Sequence, residues 1–329
     1  MRYIIYGAGG IGSVMGGYLA RAGFSVVLIG RPGHVGAINT TGLRLVTPSG
    51  THVLRIPAVT GPDGIDFTAG DVVCLCVKGQ DTEGALRHLK SFVTDVPVFC
   101  FQNGVRNEEI AAGLFPRVYG VMVRVGASYL SPGEVTARRD PPGWYIIGRY
   151  PAGTDELVTS VAGDLSAAGY IVRTSDDVMP YKWGKLMANL GNAIDAITGS
   201  DWETIRPIYR AVFEEARAIV EKAGVRWIPQ QEIAREWPEI AQPPRAEFTS
   251  VQRSSTWQSL TRRQGSVETD FLNGEIVRLA RRVGMAAPLN EKLVEISRRM
   301  AAGREPPGKY PPDELGRMLG IGEILNFKS

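Results

Sequence analysis

The sequence predicts an α/β Rossmann-type N-terminal domain followed by an all-α C-terminal domain, and three observations predict this class. The chain opens with an apolar strand, a glycine-rich turn and a small-residue helix, which form a βαβ unit with the next strand. Further apolar strands alternate with helical segments, as in a doubly wound parallel sheet. After about residue 175 the strand patterns stop. We therefore expect a Rossmann-type domain over residues 1–175 and a helical domain over residues 176–329.

The first domain contains short β-branched and apolar runs that predict buried strands. These strands are expected at residues 2–6, 25–29, 71–77 and 96–101, with helices at 10–22, 82–92 and 105–114. A Pro-Ser-Gly turn between residues 42 and 57 predicts an inserted hairpin, and residues 118–148 are again rich in strand formers.

The second domain is expected to contain helices only. They are predicted at residues 176–200, 203–223, 248–262, 268–283 and 290–301, followed by a proline-rich link to a last short helix. Within the first of these segments, residues 181–197 are predicted as one helix.

The composition excludes several classes of protein. The 329 residues carry a formal charge of +3 with no dense basic block, so the charge pattern does not indicate a nucleic-acid partner. The apolar start runs directly into the glycine-rich turn, unlike a signal peptide, and no apolar run reaches the roughly 20 residues that span a bilayer. The chain is too long for one comfortable core, which favours two domains. A homodimer is a common state for an enzyme of this size.

The cysteines and histidines indicate no metal centre. Cys74, Cys76 and Cys100 lie in apolar strand-like runs, where small buried core residues are expected rather than disulfides. A reducing, cytoplasmic location follows as an expectation. The three histidines lie within the first 88 residues and have no metal-ligand spacing, so a later domain would need lysine or a carboxylate for proton transfer.

The stretch from Gly7 to Gly12 matches the G-x-G-x-x-G pattern of dinucleotide sites. The match covers Gly7, Ala8, Gly9, Gly10, Ile11 and Gly12. It follows a strand and opens a helix, which is the context the pattern requires, because the helix N-terminus then faces the pyrophosphate. The alternative is a glycine-rich turn without a ligand.

The residues after the second strand indicate which nicotinamide cofactor is preferred. An NAD site places an acidic residue there, whereas this chain has Arg31, and its first acidic residue after the motif is Asp63. Arginine can hold and stack on a 2′-phosphorylated adenosine. We therefore expect NADP(H) as the cofactor. The alternative is that Arg31 is a surface charge without a binding role.

Polar residues follow two further strands. Lys78 comes after the strand at 71–77, and Asn103 comes after the strand at 96–101. Ligands of open α/β sheets bind at the carboxyl ends of the strands, so both residues are candidates for cofactor or substrate binding. Each could equally be an ordinary loop residue, and Asn103 with Gly104 is also a common turn pair.

An apolar helix in the second domain carries a polar stripe. Lys185, Asn189 and Asn192 are spaced by four and three residues, which places them on one face of a regular helix. A lysine in such a face can have its pKa lowered and act as a proton donor near neutral pH. The alternative is a solvated face of an amphipathic helix. Lys182 is a rival lysine on nearly the same face.

An acidic pair precedes another helical segment. Glu268 and Asp270 start a strongly periodic stretch, where Ser266 could cap the helix and acidic residues suit its N-terminus. Ser254 and Ser255 precede "TWQSL" and also suggest a cap.

Taken together, these motifs resemble the ketopantoate reductase (2-dehydropantoate 2-reductase) family over most of the chain. The matching pieces are "GAGGIG" with Arg31, "VK" with Lys78, "FQNGV" with Asn103, "WGKLMAN" with Lys185 and Asn189, and "SS…VETDFLNG" from Ser254 to Gly274. The resemblance implies NADPH-dependent reduction of a 2-keto acid, at a cleft between a Rossmann-type and a helical domain. It places the enzyme in pantothenate biosynthesis.

The resemblance also implies residue roles. Lys185 would be the general acid, and Glu268 would hold the substrate hydroxyl or the lysine. Asn103, Asn189, Asn192 and Ser255 would position substrate and nicotinamide, with Lys78 supporting the cofactor. The chain departs from the family at Ala193, where the family has its second asparagine and this chain has Asn192 instead. The span from Ser255 to Glu268 is one residue longer than is usual in the family.

The expected function is therefore reduction of a small-molecule 2-keto acid, with ketopantoate as the first candidate. One alternative is a related hydroxyacid or opine-type dehydrogenase with another substrate. A second is a non-catalytic NADP(H) sensor, which would not need a lysine in a buried polar stripe.

Overall fold

The computed structural model describes residues 1–242, 244–248, 253–263 and 265–322. The chain forms two compact units, and neither is one continuous stretch of sequence. The first unit combines Met1–Lys182 with Gln230–Thr249, and the second combines Trp183–Pro229 with Ser250–Ser329. The compact units thus divide at residues 182 and 183 rather than at 175 and 176, and a later segment returns to the first unit.

Among the described residues, the strands all belong to the first unit and form three sheets. In chain order they are β1 (Arg2–Tyr6), β2 (Ser25–Ile29), β3 (Leu43–Thr47), β4 (Gly50–Leu54), β5 (Ala58–Val59), β6 (Asp71–Leu75), β7 (Val98–Cys100), β8 (Val118–Val125), β9 (Ala127–Ser131), β10 (Glu134–Ala137), β11 (Arg139–Asp140), β12 (Gly143–Arg149), β13 (Ile171–Thr174) and β14 (Ala246–Glu247).

The helices occur in both units. In chain order they are α1 (Gly10–Arg21), α2 (Pro32–Thr41), α3 (Thr82–Lys90), α4 (Asn107–Ala112), α5 (Glu156–Ala167), α6 (Met179–Asn189), α7 (Asn192–Thr198), α8 (Trp202–Lys222), α9 (Gln230–Glu236), α10 (Ser255–Thr261), α11 (Asn273–Arg282), α12 (Pro288–Ala302) and α13 (Pro312–Met318).

The main sheet has the strand order β13-β12-β8-β7-β6-β1-β2-β5. From β5 to β8 every neighbouring pair is parallel, which confirms the predicted Rossmann-type arrangement. Strand β12 is antiparallel to β8, so the expectation of a wholly parallel sheet was wrong at this edge. The chain reaches β12 through the short strands β9 to β11 without a crossover helix, and a parallel pair would need such a crossover.

Side-chain alternation along β1 divides the core of the first unit into two layers. Tyr3 and Ile5 pack on one face of the sheet, and Ile4 packs on the other, each within an apolar cluster. Because both faces are covered, the parallel strands are apolar throughout, which explains why the sequence shows continuous apolar runs there. The free thiols Cys74, Cys76 and Cys100 lie in these strands or next to them, and burial raises the pKa of each.

The inserted hairpin is confirmed, since β3 and β4 pair antiparallel around a turn at Pro48 and Ser49. They join β10 and β9 in a second sheet. The third sheet pairs β11 with β14, so the prediction that strands end near residue 175 was wrong. Residues 246–248 are also not helical, although a helix was expected from residue 248. Residues 249–252 of that predicted helix lie outside the described residues.

The second unit is helical, as predicted. Its first segment, however, is two helices rather than one, because α6 ends at Asn189 and α7 begins at Asn192. Leu190 and Gly191 form the turn between them. The side chain of Asn273 donates a hydrogen bond to the Leu190 carbonyl oxygen at 3.2 Å. That bond satisfies an oxygen that the helix end would otherwise leave without a donor.

The helix expected at residues 268–283 is also divided. A 3-10 turn at Glu268–Phe271 precedes α11, and Leu272 between them has φ −118° and ψ −92°, outside the helical region. Helices α8 and α12 lie within one residue or two of their predicted bounds.

Candidate active site

The glycine-rich turn after β1 allows a ligand to approach the protein backbone closely. Gly7 has φ +113°, and a Cβ there would lie 2.5 Å from the Val77 nitrogen. A Cβ on Gly12 would lie 2.3 Å from the Gly7 carbonyl oxygen, so α1 can approach β1 only with glycine at this position. A Cβ on Gly9, by contrast, would meet no atom within 4 Å. The open side of the turn is therefore at Gly9, the N-cap of α1, where helix amides favour an anion.

Arg31 lies just beyond the end of β2, beside this turn. Its side chain is exposed and it forms the N-cap position of α2. The Ile29 carbonyl oxygen accepts hydrogen bonds from the Gly7 and Ala8 amides at 3.0 and 2.8 Å, which ties the end of β2 to the glycine turn. The residues present thus fit a dinucleotide, with the turn for its pyrophosphate and Arg31 for a phosphate on the adenosine ribose.

His34 holds α2 in place and takes no part in the predicted chemistry. The buried ring accepts a hydrogen bond from the Gly133 amide at Nδ1, at 2.8 Å, so the neutral ring carries its proton on Nε2. Nε2 lies 3.1 Å from the Ser13 hydroxyl oxygen on α1. Burial lowers the pKa of His34, which favours this neutral form.

Lys78 and Asn103 lie after neighbouring parallel strands, at the same edge of the sheet as the glycine turn. Lys78 precedes a 3-10 turn at Gly79–Asp81 and is half-buried, as is Asn103. The Asn103 carbonyl oxygen accepts a hydrogen bond from the Asn107 side chain at 2.8 Å. Thr82 donates to the same side chain at 2.8 Å. This network fixes the loop that carries Asn103 against the start of α3.

Lys182, the rival lysine, is fully engaged within the first unit. Its ammonium lies 2.7 Å from a carboxylate oxygen of Glu108 and donates to the carbonyl oxygens of Gln102 and Val121, each at 2.9 Å. Both charged side chains are at most 1% exposed. Burial raises the pKa of Glu108, and Lys182 offsets part of this rise. Three acceptors match the three N–H donors of the ammonium, which leaves no donor for a substrate.

Lys185 and Asn189 lie one turn apart on α6, so they share a face as predicted, and both are half-buried. Asn192 does not continue this face, since it is the first residue of α7. The prediction of a three-residue stripe on one regular helix was therefore wrong. The physical cause is the turn at Leu190 and Gly191, which the Asn273 side chain stabilises. Ala193 next to it is buried.

In the second unit, Asn192 is hydrogen-bonded to Ser254, the residue before Ser255. The Asn192 carbonyl oxygen accepts a hydrogen bond from the Ser254 hydroxyl at 3.2 Å, and the Asp195 carboxylate accepts one from the Ser254 amide at 3.0 Å. Ser254 also caps α10, as predicted, by accepting from the Trp257 amide. The Ser255 hydroxyl oxygen is buried and has no hydrogen-bond partner among the described residues.

Glu268 is half-buried and begins the 3-10 turn that leads to α11. The position before it, Val267, provides no side-chain cap for this turn. Five residues after Glu268, Asn273 contacts the turn between Asn189 and Asn192. The segment that carries Glu268 is therefore anchored, through Asn273, to the turn between α6 and α7.

Sequence reasoning missed Glu108 as the partner of Lys182. In the sequence it reads as one of two acids in the first turn of a helix, where acidic residues are common. Its side chain packs against β8, where a Cβ on Gly120 would be in ordinary contact with it at 3.7 Å. No local pattern signals this arrangement.

Two absences can be stated for the described ranges, residues 1–242, 244–248, 253–263 and 265–322. There, no group of three His, Cys, Asp or Glu side chains is arranged to hold a metal ion. In that part of the chain, no helix is both long enough and apolar enough to cross a bilayer.

Comparisons with known proteins identify the family of the chain. Residues 3–152 match the model of the ketopantoate reductase PanE/ApbA family, and residues 177–301 match that of its C-terminal part. A 2-dehydropantoate 2-reductase of Pyrococcus horikoshii is 32% identical over 88% of this chain and 94% of its own length.

Solved structures show the same fold. A PanE/ApbA family ketopantoate reductase from Ralstonia eutropha JMP134 is 33% identical, with a TM-score of 0.77 over 92% of this chain and 99% of its own. D-mandelate dehydrogenase in a ternary structure with NADH and anilino(oxo)acetate has a TM-score of 0.76 over 92% of this chain and 99% of its own. That protein is 22% identical and shares the fold alone. From the family matches and the identity to its members, the chain belongs to the ketopantoate reductase family and is an oxidoreductase with a nicotinamide cofactor.

Proposed function

We propose that the protein reduces a 2-keto acid to a 2-hydroxy acid with NADPH, and that ketopantoate is the substrate and pantoate the product. The cofactor supplies the hydride that the carbonyl carbon accepts. The ketone oxygen then needs one proton, and the Lys185 ammonium donates it. The products are the 2-hydroxy acid and NADP⁺, and solvent returns the proton to the lysine.

The observation that carries this proposal is the complete engagement of Lys182, which excludes the other lysine of α6 as the proton donor. Lys182 has its three donors bound to Glu108, Gln102 and Val121 within the first unit. Lys185 is half-buried and shares its face with Asn189, an amide that can orient a substrate without adding charge. A lysine is suited to the acid role because burial readily moves its pKa toward neutral pH.

The remaining predicted roles follow from position and chemistry. Asn103 follows β7 at the ligand-binding edge of the sheet, and Lys78 follows β6 at the same edge, which suits positioning of the nicotinamide half of the cofactor. Asn192 and Ser255 are the first residues of α7 and α10, which the Ser254–Asn192 hydrogen bond joins, and no described residue forms a hydrogen bond with the Ser255 hydroxyl. We assign these two residues and Asn189 to the substrate, and Glu268 to the substrate hydroxyl.

The preference for NADPH is assigned to Arg31. Its guanidinium is exposed beside the glycine turn, where the adenosine ribose of a dinucleotide would lie. Arg31→Ala is expected to raise the dissociation constant of NADPH about 10-fold or more and to leave that of NADH nearly unchanged, because only NADPH loses a charge-assisted contact. Equal effects on the two cofactors would contradict this role. Fluorescence titration of both cofactors measures it.

The function is tested by NADPH oxidation with ketopantoate, pyruvate, 2-ketoisovalerate and other branched 2-keto acids. Lys185→Ala is expected to lower kcat on the preferred substrate by about 100-fold or more, the scale of general acid catalysis. The matched control is Lys292→Ala, which removes a surface lysine of α12 paired with Glu295 and should leave kcat unchanged.

Each outcome decides between the alternatives. Turnover of ketopantoate that depends on Lys185 supports the proposal. Turnover of another keto acid alone would support the mechanism and identify a different substrate. Tight NADPH binding without turnover of any keto acid would favour a cofactor sensor. A cytoplasmic location, a homodimer and the division into a cofactor domain and a substrate domain stay predictions.

A further inference from the structure

Arg124 lies near the carboxyl end of β8 and was not part of the predicted site. Residues of β8 alternate between the two faces of the sheet, and its pairing with β12 is unbroken from Tyr119 to Val125. A Cβ on Gly120 would point toward Val178 and Glu108. Four residues further along, Arg124 therefore projects from the same face, one that it shares with the Lys182–Glu108 ion pair.

The position of Arg124 continues a row of polar residues along one edge of the sheet. Strands β6, β7 and β8 are adjacent and parallel. Lys78 follows the first, Asn103 follows the second, and Arg124 is the penultimate residue of the third. Ala127 shortly after it would lie 3.6 Å from a Cβ on Gly10, so the end of β8 and the glycine turn lie at the same edge. This is the edge where open α/β sheets bind their ligands.

No residue in the described part of the chain neutralises the charge of Arg124. The guanidinium is half-buried, yet it forms no ion pair or hydrogen bond with any residue in the described part of the chain. The charged neighbour that affects it is Arg139, whose own partner is Glu247 at 2.8 Å. Burial, together with Arg139, lowers the pKa of Arg124, although an arginine remains charged at neutral pH. Arginines removed from water are normally paired, so this arrangement calls for an anion.

A carboxylate of the substrate fits this position better than the cofactor phosphates do. In the main sheet β6 and β7 lie between β8 and β1, so Arg124 follows Lys78 and Asn103 on the side of β1 opposite to β2. The pyrophosphate belongs at the end of β1, and the adenosine phosphate belongs at β2, still further away. A guanidinium can bind both oxygens of a carboxylate at once, which also fixes the orientation of the neighbouring ketone.

We propose that Arg124 binds the carboxylate of the 2-keto acid and thereby selects acids over neutral carbonyl compounds. The inference rests on the proposed function, because it requires a 2-keto acid as the substrate. It makes Arg124 a specificity-determining residue of the same reaction, on the first unit of the chain.

The experiment compares Arg124→Met, Arg124→Lys and the control Arg117→Met in NADPH oxidation with the preferred keto acid and with its methyl ester. Arg117 is a surface arginine paired with Asp95, so its replacement tests the loss of any arginine. Arg124→Met is expected to raise KM for the acid about 10- to 100-fold, the effect of one charge-assisted contact, and to reduce the preference for acid over ester by the same factor. The KM of Arg124→Lys for the acid is expected to lie between those of Arg124→Met and the wild type.

Two further measurements separate binding from a structural role. The NADPH dissociation constant of Arg124→Met should equal that of the wild type, and its melting temperature should be the same or higher, because repulsion from Arg139 is removed. An unchanged KM and acid-to-ester preference in an active Arg124→Met enzyme would overturn the inference. A rise in the NADPH dissociation constant with unchanged KM would also overturn it, by assigning the arginine to a cofactor phosphate. A wild type that turns over no keto acid would overturn the proposed function itself.

Discussion

Replacing Lys182 with methionine removes the ammonium that Glu108 contacts at 2.7 Å, and it leaves a carboxylate in a fully buried position. Two carbonyl oxygens, those of Gln102 and Val121, lose a donor at the same time. Removing one partner of a buried ion pair costs about 3–5 kcal/mol of the free energy of unfolding, because the other charge stays buried without compensation. We expect Lys182→Met to lose about 4 kcal/mol near neutral pH.

The pH dependence identifies Glu108 as the source of this loss. Burial raises the pKa of Glu108 in the folded state above the value of about 4.3 that a glutamate has in an unfolded chain. The folded protein therefore binds more protons than the unfolded chain between these two values, and the free energy of unfolding falls as the pH rises through that window. Loss of Lys182 raises the pKa of Glu108 further and so widens the pH range over which stability is lost. Lys182→Met should consequently be closest to wild type near pH 5 and most destabilised near pH 8.

Urea unfolding of four proteins between pH 5 and pH 8 measures the effect. The double variant Lys182→Met/Glu108→Gln lacks the carboxylate, so it should recover part of the stability and lose the extra pH dependence. Lys292→Met, which breaks an exposed pair with Glu295, should match the wild type at every pH. A loss of less than about 1 kcal/mol in Lys182→Met at pH 8 would refute the reasoning. So would a pH profile parallel to that of the double variant.

Two further predictions concern positions where the structure distinguishes binding from folding. Gly12→Ala should lower the melting temperature strongly, because its Cβ would lie 2.3 Å from the Gly7 carbonyl oxygen. Gly9→Ala should keep the melting temperature of the wild type and weaken NADPH binding in a titration, because a Cβ there meets no protein atom within 4 Å. Equal melting temperatures for the two variants would contradict this prediction. Asn273→Leu should cost about 1–3 kcal/mol in urea unfolding, since the Leu190 carbonyl oxygen and the Asn290 side chain lose a buried hydrogen-bond donor; a neutral effect would show that the turn after α6 does not depend on Asn273.

Local signals predicted most of the first unit. The glycine spacing after β1 reports backbone requirements that lie within a few residues of each other, so the pattern predicts both the turn and its function. The Pro-Ser-Gly turn between β3 and β4 is local in the same way. Apolar runs locate buried strands, but they do not give direction, and the antiparallel pairing of β12 with β8 was missed for that reason.

The errors after residue 175 have a common physical cause. The turn after α6 accepts a hydrogen bond from Asn273, which lies 83 residues after the Leu190 carbonyl group. The pairing of β11 with β14 likewise joins residues more than 100 positions apart. Helical periodicity reports only the nearest neighbours, so it predicted one continuous helix over residues 181–197 and gave no sign of β14. The two lysines of α6 were indistinguishable for the same reason, because Glu108 lies far from Lys182 in the sequence.

The return of residues 230–249 to the first unit bears on how the protein can be divided in the laboratory. This segment contributes strand β14, the Trp237 ring stacked on Tyr181 at 5.4 Å, and the ion pairs of Glu239 with Arg173 and of Arg245 with Asp140. A gene fragment that stops at residue 182 would encode the Rossmann-type sheet yet omit these partners. An independently expressed cofactor-binding fragment would therefore have to be designed as a fusion, with residues 230–249 joined by a linker in place of the 47 residues from Trp183 to Pro229.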